Sequence, residues 1–308
     1  MKARKAYRGL LSALLLASAT VLCSAQYKQW TAPEPHDGLK LELVKTGLYL
    51  ISGQGSNSLL RLSANGLILV DGKLPGNYDA IRARSKKISD QPIRALILTN
   101  YDESRTGNNA KFVENGTAIV AQENVKLYLA SYNSSSNKPV PPAVTYANDY
   151  RIHLGGVDVQ LLHFGNAHTN ADTVVYFPNL KVVAVGDLVA SAPNPDYSAG
   201  GSLLGWGPVL AQVLKLDFDV AVPSEGSTVT RADVEAFKTK LDTLIARATA
   251  LVSKGVPKDQ FMNQLKTDDL GWKLNFTPAQ VDGLYAELSK TGQPLHAAEL
   301  SVPGALQR

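Results

Sequence analysis

The chain has 308 residues, 44% hydrophobic and 19% charged, a balance that supports a large packed core and excludes a disordered or collagen-like polymer. Four of its 31 Lys and Arg residues, Lys2, Arg4, Lys5 and Arg8, fall within the first 25 positions, which hold no Asp or Glu, so 27 basic residues face 27 acidic ones beyond them. The formal net charge of +4 belongs to that leader, and nothing global argues for nucleic acid or an anionic membrane surface as a partner.

Residues 1–25 read as a secretory signal: a basic start, an apolar run from Leu10 to Leu22, and a small-residue cleavage site at Cys23-Ser24-Ala25. The run is far short of the roughly 20 residues that a membrane span requires. Cys23 also admits a lipid-attachment reading, against which Thr20-Val21-Leu22 lacks the small residues such a site prefers. The expectation is an exported protein, periplasmic or secreted, with a single domain over 26–308 and no membrane span once the signal is removed. The only Cys leaves with the leader, so that domain holds together without disulfides.

After a Pro-containing lead-in from Gln26 to Gly38, the chain turns β-rich. Leu39–Val44 alternates, Leu48–Ile51 follows a glycine, and Asn57–Leu62 is divided from Leu67–Asp71 by a Ser-Ala-Asn-Gly turn, which together predict a meander of hairpins. A helix over about 77–89 then leads to an apolar strand at 93–98. Further expectations are a short helix at 106–113, a strand at 117–121, a helix at 124–132 and a surface loop at 133–142. A second β block follows: 150–154, 157–162 after a Gly-Gly turn, 173–177 and 182–185. A Gly-, Pro- and Ser-rich loop runs from Asp187 to about Gly207, before a helix near 209–216 and a strand at 218–222. The chain ends in helices at about 231–254, capped by Thr230, 258–267 and 279–288.

The segment 96–109, LILTNYDESRTGNN, carries the clearest site signal: an apolar strand running into a polar loop, at the sheet edge where α/β proteins keep their chemistry. It resembles the signature of the metallo-β-lactamase-fold hydrolases, Thr-His-x-His-x-Asp-His-x-Gly-Gly-Asn, which supplies ligands for one or two zinc ions. Thr99, Gly107 and Asn109 match, whereas the four ligand positions hold Asn100, Asp102, Ser104 and Arg105. Gly165–Thr173 resembles the Gly-x-x-His-Thr-x-Gly-Asp motif, with His168 at the ligand position. Val185-Gly186-Asp187 is similar to the motif whose Asp bridges the metals, and Pro223-Ser224-Glu225-Gly226 to Pro-Gly-His-Gly, with Glu225 in place of His. Asp71 corresponds to an Asp that supports the family site from behind its ligands.

The resemblance spans about 45–290 and implies a four-layer αββα sandwich with a C-terminal helical extension at about 230–291. For chemistry it implies less. Arg105 puts a guanidinium that does not deprotonate where an imidazole would bind, which repels a second cation. Asp102, His168 and Asp187 remain competent ligands, and Asn100 offers a carbonyl, an oxygen-rich set that suits Mn, Mg, Ca or Fe better than zinc. Alternatively Arg105 replaces the cation and satisfies Asp187, Glu225 and Asp102 by charge-assisted hydrogen bonds.

Two functions follow. The first is a non-catalytic or weakly catalytic member that binds a small molecule in the inherited cleft with no resident cofactor. The second is a mononuclear hydrolase holding one divalent ion (Zn, Mn or Fe) and acting on an ester, lactam or phosphoester, with Asp102 and Glu225 in catalytic roles and Ser104, Arg105 and Asp71 lining the site. A nucleophilic triad of Ser104, His168 and Asp187 finds no strand-to-helix elbow to support it. The sequence leaves the oligomeric state open.

Overall fold

The computed structural model describes residues 38–131 and 139–290. The signal, the lead-in up to residue 37, and residues 133–138 of the surface loop lie outside the described residues.

Strands β1 (Lys40–Lys45), β2 (Leu48–Ser52), β3 (Ser58–Ser63) and β4 (Gly66–Val70) form the meander, each antiparallel to the next. Helix α1 (Tyr78–Lys86) crosses to β5 (Ile93–Leu98), and β6 (Ala118–Gln122) and β7 (Val144–Tyr146) then add in parallel to complete a seven-stranded sheet in sequential order. Between β5 and β6 lie the short helices α2 (Glu103–Thr106) and α3 (Asn109–Glu114), and α4 (Glu123–Ala130) follows β6.

The second sheet contains β8 (Asp149–Leu154), β9 (Val157–Leu162), β10 (Val174–Phe177), β11 (Val182–Gly186), β12 (Val220–Pro223) and β13 (Val229–Thr230), in the order β13-β12-β11-β10-β9-β8. The two-residue turn Gly155-Gly156 between β8 and β9 has positive φ at both positions, +51° and +80°, the geometry that matches strand twist and that only glycine adopts freely. Its outer face carries α5 (Leu203–Val213), α6 (Arg231–Ser253), α7 (Lys258–Gln264) and α8 (Pro278–Ser289).

The uninterrupted apolar runs are strands buried on both faces, and the two-residue period of the strand divides each run between two cores. Along β4 and β5, Leu67, Leu69, Leu96 and Leu98 pack outward with Ile81 of α1, Phe112 of α3 and Val125 of α4. Their neighbours Ile68, Val70, Ala95 and Ile97 face the other sheet, where Val159, Leu161, Val175, Phe177 and Ala184 meet them. On the far face, Val174, Tyr176, Val183 and Val185 pack against Trp206, Leu210, Leu241 and Leu284 of the helices. Helix, sheet, sheet, helix is the αββα sandwich, and the C-terminal helices supply much of its fourth layer.

Local departures have local causes. The helix expected at 106–113 is split, because Asn108 Nδ2 donates to the carbonyls of Gly72 (2.7 Å) and Leu74 (2.8 Å) and so pulls the backbone out of helical register. Helix α5 begins at Leu203, well before 209, despite Gly205, Gly207 and Pro208. Ser202 accepts from Gly205 N at 2.7 Å to cap it, and the burial of Leu203 and Trp206 outweighs poor propensity. The short strands β7 and β13 are too brief to show a period in the sequence. Helix α6 carries a full capping box between Thr230 and Asp233.

Candidate functional site

The carboxyl ends of β4, β5, β11 and β12 meet at one edge of the sandwich, and the polar residues that follow them converge there. Asp71, just past β4 and in the left-handed backbone region (φ +60°), accepts from Thr99 N at 2.8 Å and from Thr99 Oγ1 at 2.7 Å, which fixes the start of the loop after β5. Burial pushes the Asp71 carboxyl up to about 6, with Arg105 and the Thr99 donors opposing.

Arg105, on α2, is 2% exposed. Its Nε donates to Thr99 Oγ1 at 3.1 Å, Nη1 to Ser104 Oγ at 2.5 Å, and Nη2 to Asp187 Oδ2. The same guanidinium lies 3.8 Å from Asp102 and 3.9 Å from Asp71. Burial works against its charge, but Asp187, Asp71 and Asp102 outweigh that and raise its pKa further.

Asp187 follows β11 and is surrounded by donors. Besides Arg105, Asn100 Nδ2 donates to Oδ2 at 2.8 Å and Ser224 Oγ to Oδ1 at 2.5 Å. Burial alone would raise its pKa; Arg105, His168, Ser224 and Asn100 overcome it and hold the carboxyl well below the usual range. His168 stands in the loop between β9 and β10, with Nδ1 3.5 Å from Asp187 and 3.7 Å from Asp172. Asp172 is anchored by Thr169 N and Oγ1, both at 2.8 Å. Burial lowers the pKa of the imidazole, but Asp187, Asp172 and Asp102 hold it up at about 9, so it is charged at neutral pH.

Ligand atoms of Asp102, His168 and Asp187 lie within 4.8 Å of one another, a group able to hold a metal ion. Two sequence expectations are corrected. Asn100 does not turn its carbonyl to this group: Oδ1 accepts from Asp102 N at 3.0 Å, so it is the NH2 that meets Asp187. Glu225 does not join Arg105. It is exposed on the cleft rim, and its neighbour Ser224, where the chain bends after β12, reaches Asp187 instead.

Beside the cluster lies a cleft of about 580 Å³ whose walls include His168, Asp187, Trp206, Ser224, Glu225 and Val229. Trp206 is both core and cleft wall: it is fully buried, with Nε1 donating to Leu188 O at 3.0 Å. Tyr197 belongs to the interior, its hydroxyl donating to Glu287 at 2.7 Å.

Sequence reading missed two supports. Lys73, fully buried and with φ +67°, donates Nζ to Ile51 O at 2.7 Å and to Ser56 O, and burial pulls its pKa down to about 7. Those contacts brace the loop bearing Asn57, whose Nδ2 donates to Pro223 O (3.0 Å) and Gly226 O (2.9 Å). The two share no local pattern with their partners, which lie far away in sequence.

Residues 51–225 match the family model of the metallo-beta-lactamase superfamily, and the chain belongs to that superfamily. It is 26% identical over 186 residues to the 2,4-dinitroanisole O-demethylase subunit alpha of Nocardioides sp. (strain JS1661), covering 60% of this chain and 56% of that protein, so it spans little more than half of this relative's length. It is 26% identical over 197 residues to the metallo-beta-lactamase IND-1 of Chryseobacterium indologenes, covering 63% of this chain and 78% of that one. Among solved structures, a metallo-beta-lactamase from Pontibacter korlensis superposes with a TM-score of 0.60 at 20% identity, over 67% of this chain and 99% of its own. The mono-zinc form of FIM-1 from Pseudomonas aeruginosa gives 0.57 at 19% identity, over 70% and 98%. These structural likenesses establish the shared fold.

Proposed function

We propose that this protein is a metallo-β-lactamase-superfamily member with a degenerate metal site, which binds a small molecule in the cleft beside His168 and Trp206 and has at most weak hydrolytic activity. The observation that carries the reading is the state of Asp187. Both of its oxygens are taken by donors from Arg105, Asn100 and Ser224, so the residue that would bridge two ions is already neutralised from within. The remaining second-ion positions are no better suited: Ser104 Oγ accepts from Arg105, Arg105 is a permanent cation, and Glu225 points to solvent. A dinuclear zinc set does not fit these residues.

A mononuclear hydrolase acting on an ester, lactam or phosphoester is the second reading, and the closeness of Asp102, His168 and Asp187 favours it. A divalent ion there would polarise an oxygen and acidify water. Metal analysis of protein purified without chelator, with zinc titration by calorimetry, decides between the two. Turnover of nitrocefin, simple esters, phosphodiesters and 2,4-dinitroanisole, the last chosen from the demethylase relative's name, completes the test. Near-background turnover without stoichiometric metal is expected; tight zinc with chelator-sensitive turnover would replace the first reading by the second. The leader supports an exported mature form beginning near Gln26, which intact mass of secreted or periplasmic material would check.

A further inference from the structure

We propose that Gln280, on helix α8, is the residue that positions one wall of the cleft, and that it thereby determines the size of ligand the cleft admits. The inference rests on the reading of that cleft as the ligand site, and goes beyond it by naming what fixes its width. Helix α8 lies outside residues 51–225, the stretch that matches the family model, so the wall is set by a part of the chain which that model does not cover.

Two stretches of chain line most of the cleft. One is 223–229, held from the first half of the sandwich by Asn57. The other leaves β11 and supplies Val189, Ala190, Ser191, Ala192 and Asn194. No strand or helix organises residues 189–195. Among the described residues, the only hydrogen bonds that reach them come from Gln280, whose Nε2 donates to Asn194 Oδ1 at 2.7 Å and to Pro195 O at 3.3 Å.

The orientation of that amide is decided within α8. Gln280 stands at the third position of the helix, and its Oε1 accepts from Thr277 N at 2.9 Å in a capping box, which leaves the NH2 end for the loop. The same face of the helix fixes α8 against the rest of the wall. Gly283 gives the Tyr197 ring room to lie flat, since a Cβ there would stand 2.5 Å from Tyr197 Cγ, and Glu287 accepts from Tyr197 Oη and from Ser202, Leu203 and Leu204. From Asp196 onward the wall has other support, with Asp196 N donating to His168 O and Ser202 N to Ala167 O, both at 2.8 Å. The part that depends on one contact is therefore 189–195, and that contact is Gln280.

The test measures the cleft itself and needs no ligand. In the full chain with Cys23→Ser, which removes its only thiol, spin labels on Ala192→Cys and Ser227→Cys report the separation of the two stretches by pulsed electron resonance, and urea unfolding reports stability. Gln280→Asp copies the Thr230–Asp233 box of α6, so the helix keeps its cap while the side chain loses its donor and one CH2 of reach. Asn194→Ala removes the nearer acceptor and leaves α8 untouched. Each is expected to broaden the distance distribution and move its centre outward by about 3 Å or more, the span of the released hydrogen bond, at the parent's urea midpoint. The double variant is expected to add nothing further, because both changes break one contact. A parent-like distribution in either single variant overturns the assignment, and so does broadening that comes only with a fallen urea midpoint, which would mean that the fold and not the wall has loosened. Either failure leaves the ligand-binding reading standing, because metal analysis and turnover judge that reading separately.

Discussion

Arg105 Nη2 donates to Oδ2 of Asp187 across the line where the two halves of the sandwich meet, joining a residue of the β5 loop in the first half to one that follows β11 in the second. A bound metal ion would tie the same two halves through the same carboxylate. The guanidinium makes a tie of this kind, with Thr99 and Ser104 satisfying the rest of its donors.

Removing it should be costly. Arg105→Ala leaves Asp187, Asp71 and Asp102 without their shared countercharge, and breaking a buried ion pair from one side costs on the order of 3–5 kcal/mol. Denaturant titration in metal-free buffer should show the unfolding free energy fall by that amount, with Arg105→Lys losing less. An Arg105→Ala variant that unfolds with the parent would show that the pair contributes nothing.

His168 gives the stability a pH signature. Its folded pKa of about 9 lies above the usual 6.5, so its contribution is complete below about 6.5 and disappears as pH rises through 9. By linkage that contribution is on the order of 3 kcal/mol. Lys73, lowered to about 7, works in the opposite direction over an overlapping range, so the parent curve alone is uninformative. The difference in unfolding free energy between parent and His168→Gln isolates the imidazole; it should be large at pH 6 and shrink toward pH 10. A difference independent of pH would mean that the imidazole is not held charged.

Glu287, on α8, should matter more than its distance from the cleft implies. Fully buried, it accepts from Tyr197 Oη (2.7 Å), Ser202 Oγ, Leu203 N (3.1 Å) and Leu204 N (3.3 Å), and so anchors the start of the helix that carries Trp206. Glu287→Ala strands several buried donors at roughly 1–3 kcal/mol each before relaxation. We expect a drop of several kcal/mol in chemical denaturation, with a changed near-UV signal from Trp206. A loss below about 1 kcal/mol would show that water replaces the carboxylate there.

Asn57 clamps the rim of the cleft from the opposite half. Asn57→Ala removes the side-chain donors to Pro223 O and Gly226 O but keeps the backbone bond to Ser224 O, so the expected global cost is only about 1–2 kcal/mol. The sharper readout is hydrogen exchange. Amides at 224–226 should exchange faster in the variant while those of β11 do not change; uniform protection would show that the rim holds itself.

Much of this was legible before any coordinates. Apolar runs such as Leu67–Val70 and Ile93–Leu98 declared strands buried on both faces, and the turn at Gly155-Gly156 declared its hairpin. Asp71, Asn100, Asp102, Arg105, His168 and Asp187 were recognisable because each stands in a segment that resembles a motif of the metallo-β-lactamase superfamily, and polar segments at the ends of apolar strands gather at one sheet edge.

What the sequence by itself determined, then, was the layering and the membership of the polar cluster, since both follow from periodicity and from motifs contained within a few residues. Only the tertiary structure decided how the cluster is wired. Asn100 presents its NH2 to Asp187 because its carbonyl is claimed by Asp102 N, and Ser224 rather than Glu225 faces inward where the chain bends after β12. Asn57, Lys73 and Glu287 acquire their roles from partners that only folding brings within reach. Hydrogen bonding is directional and acts over about 3 Å, so the identity of a donor's partner is set by three-dimensional proximity, which no local pattern in the chain encodes.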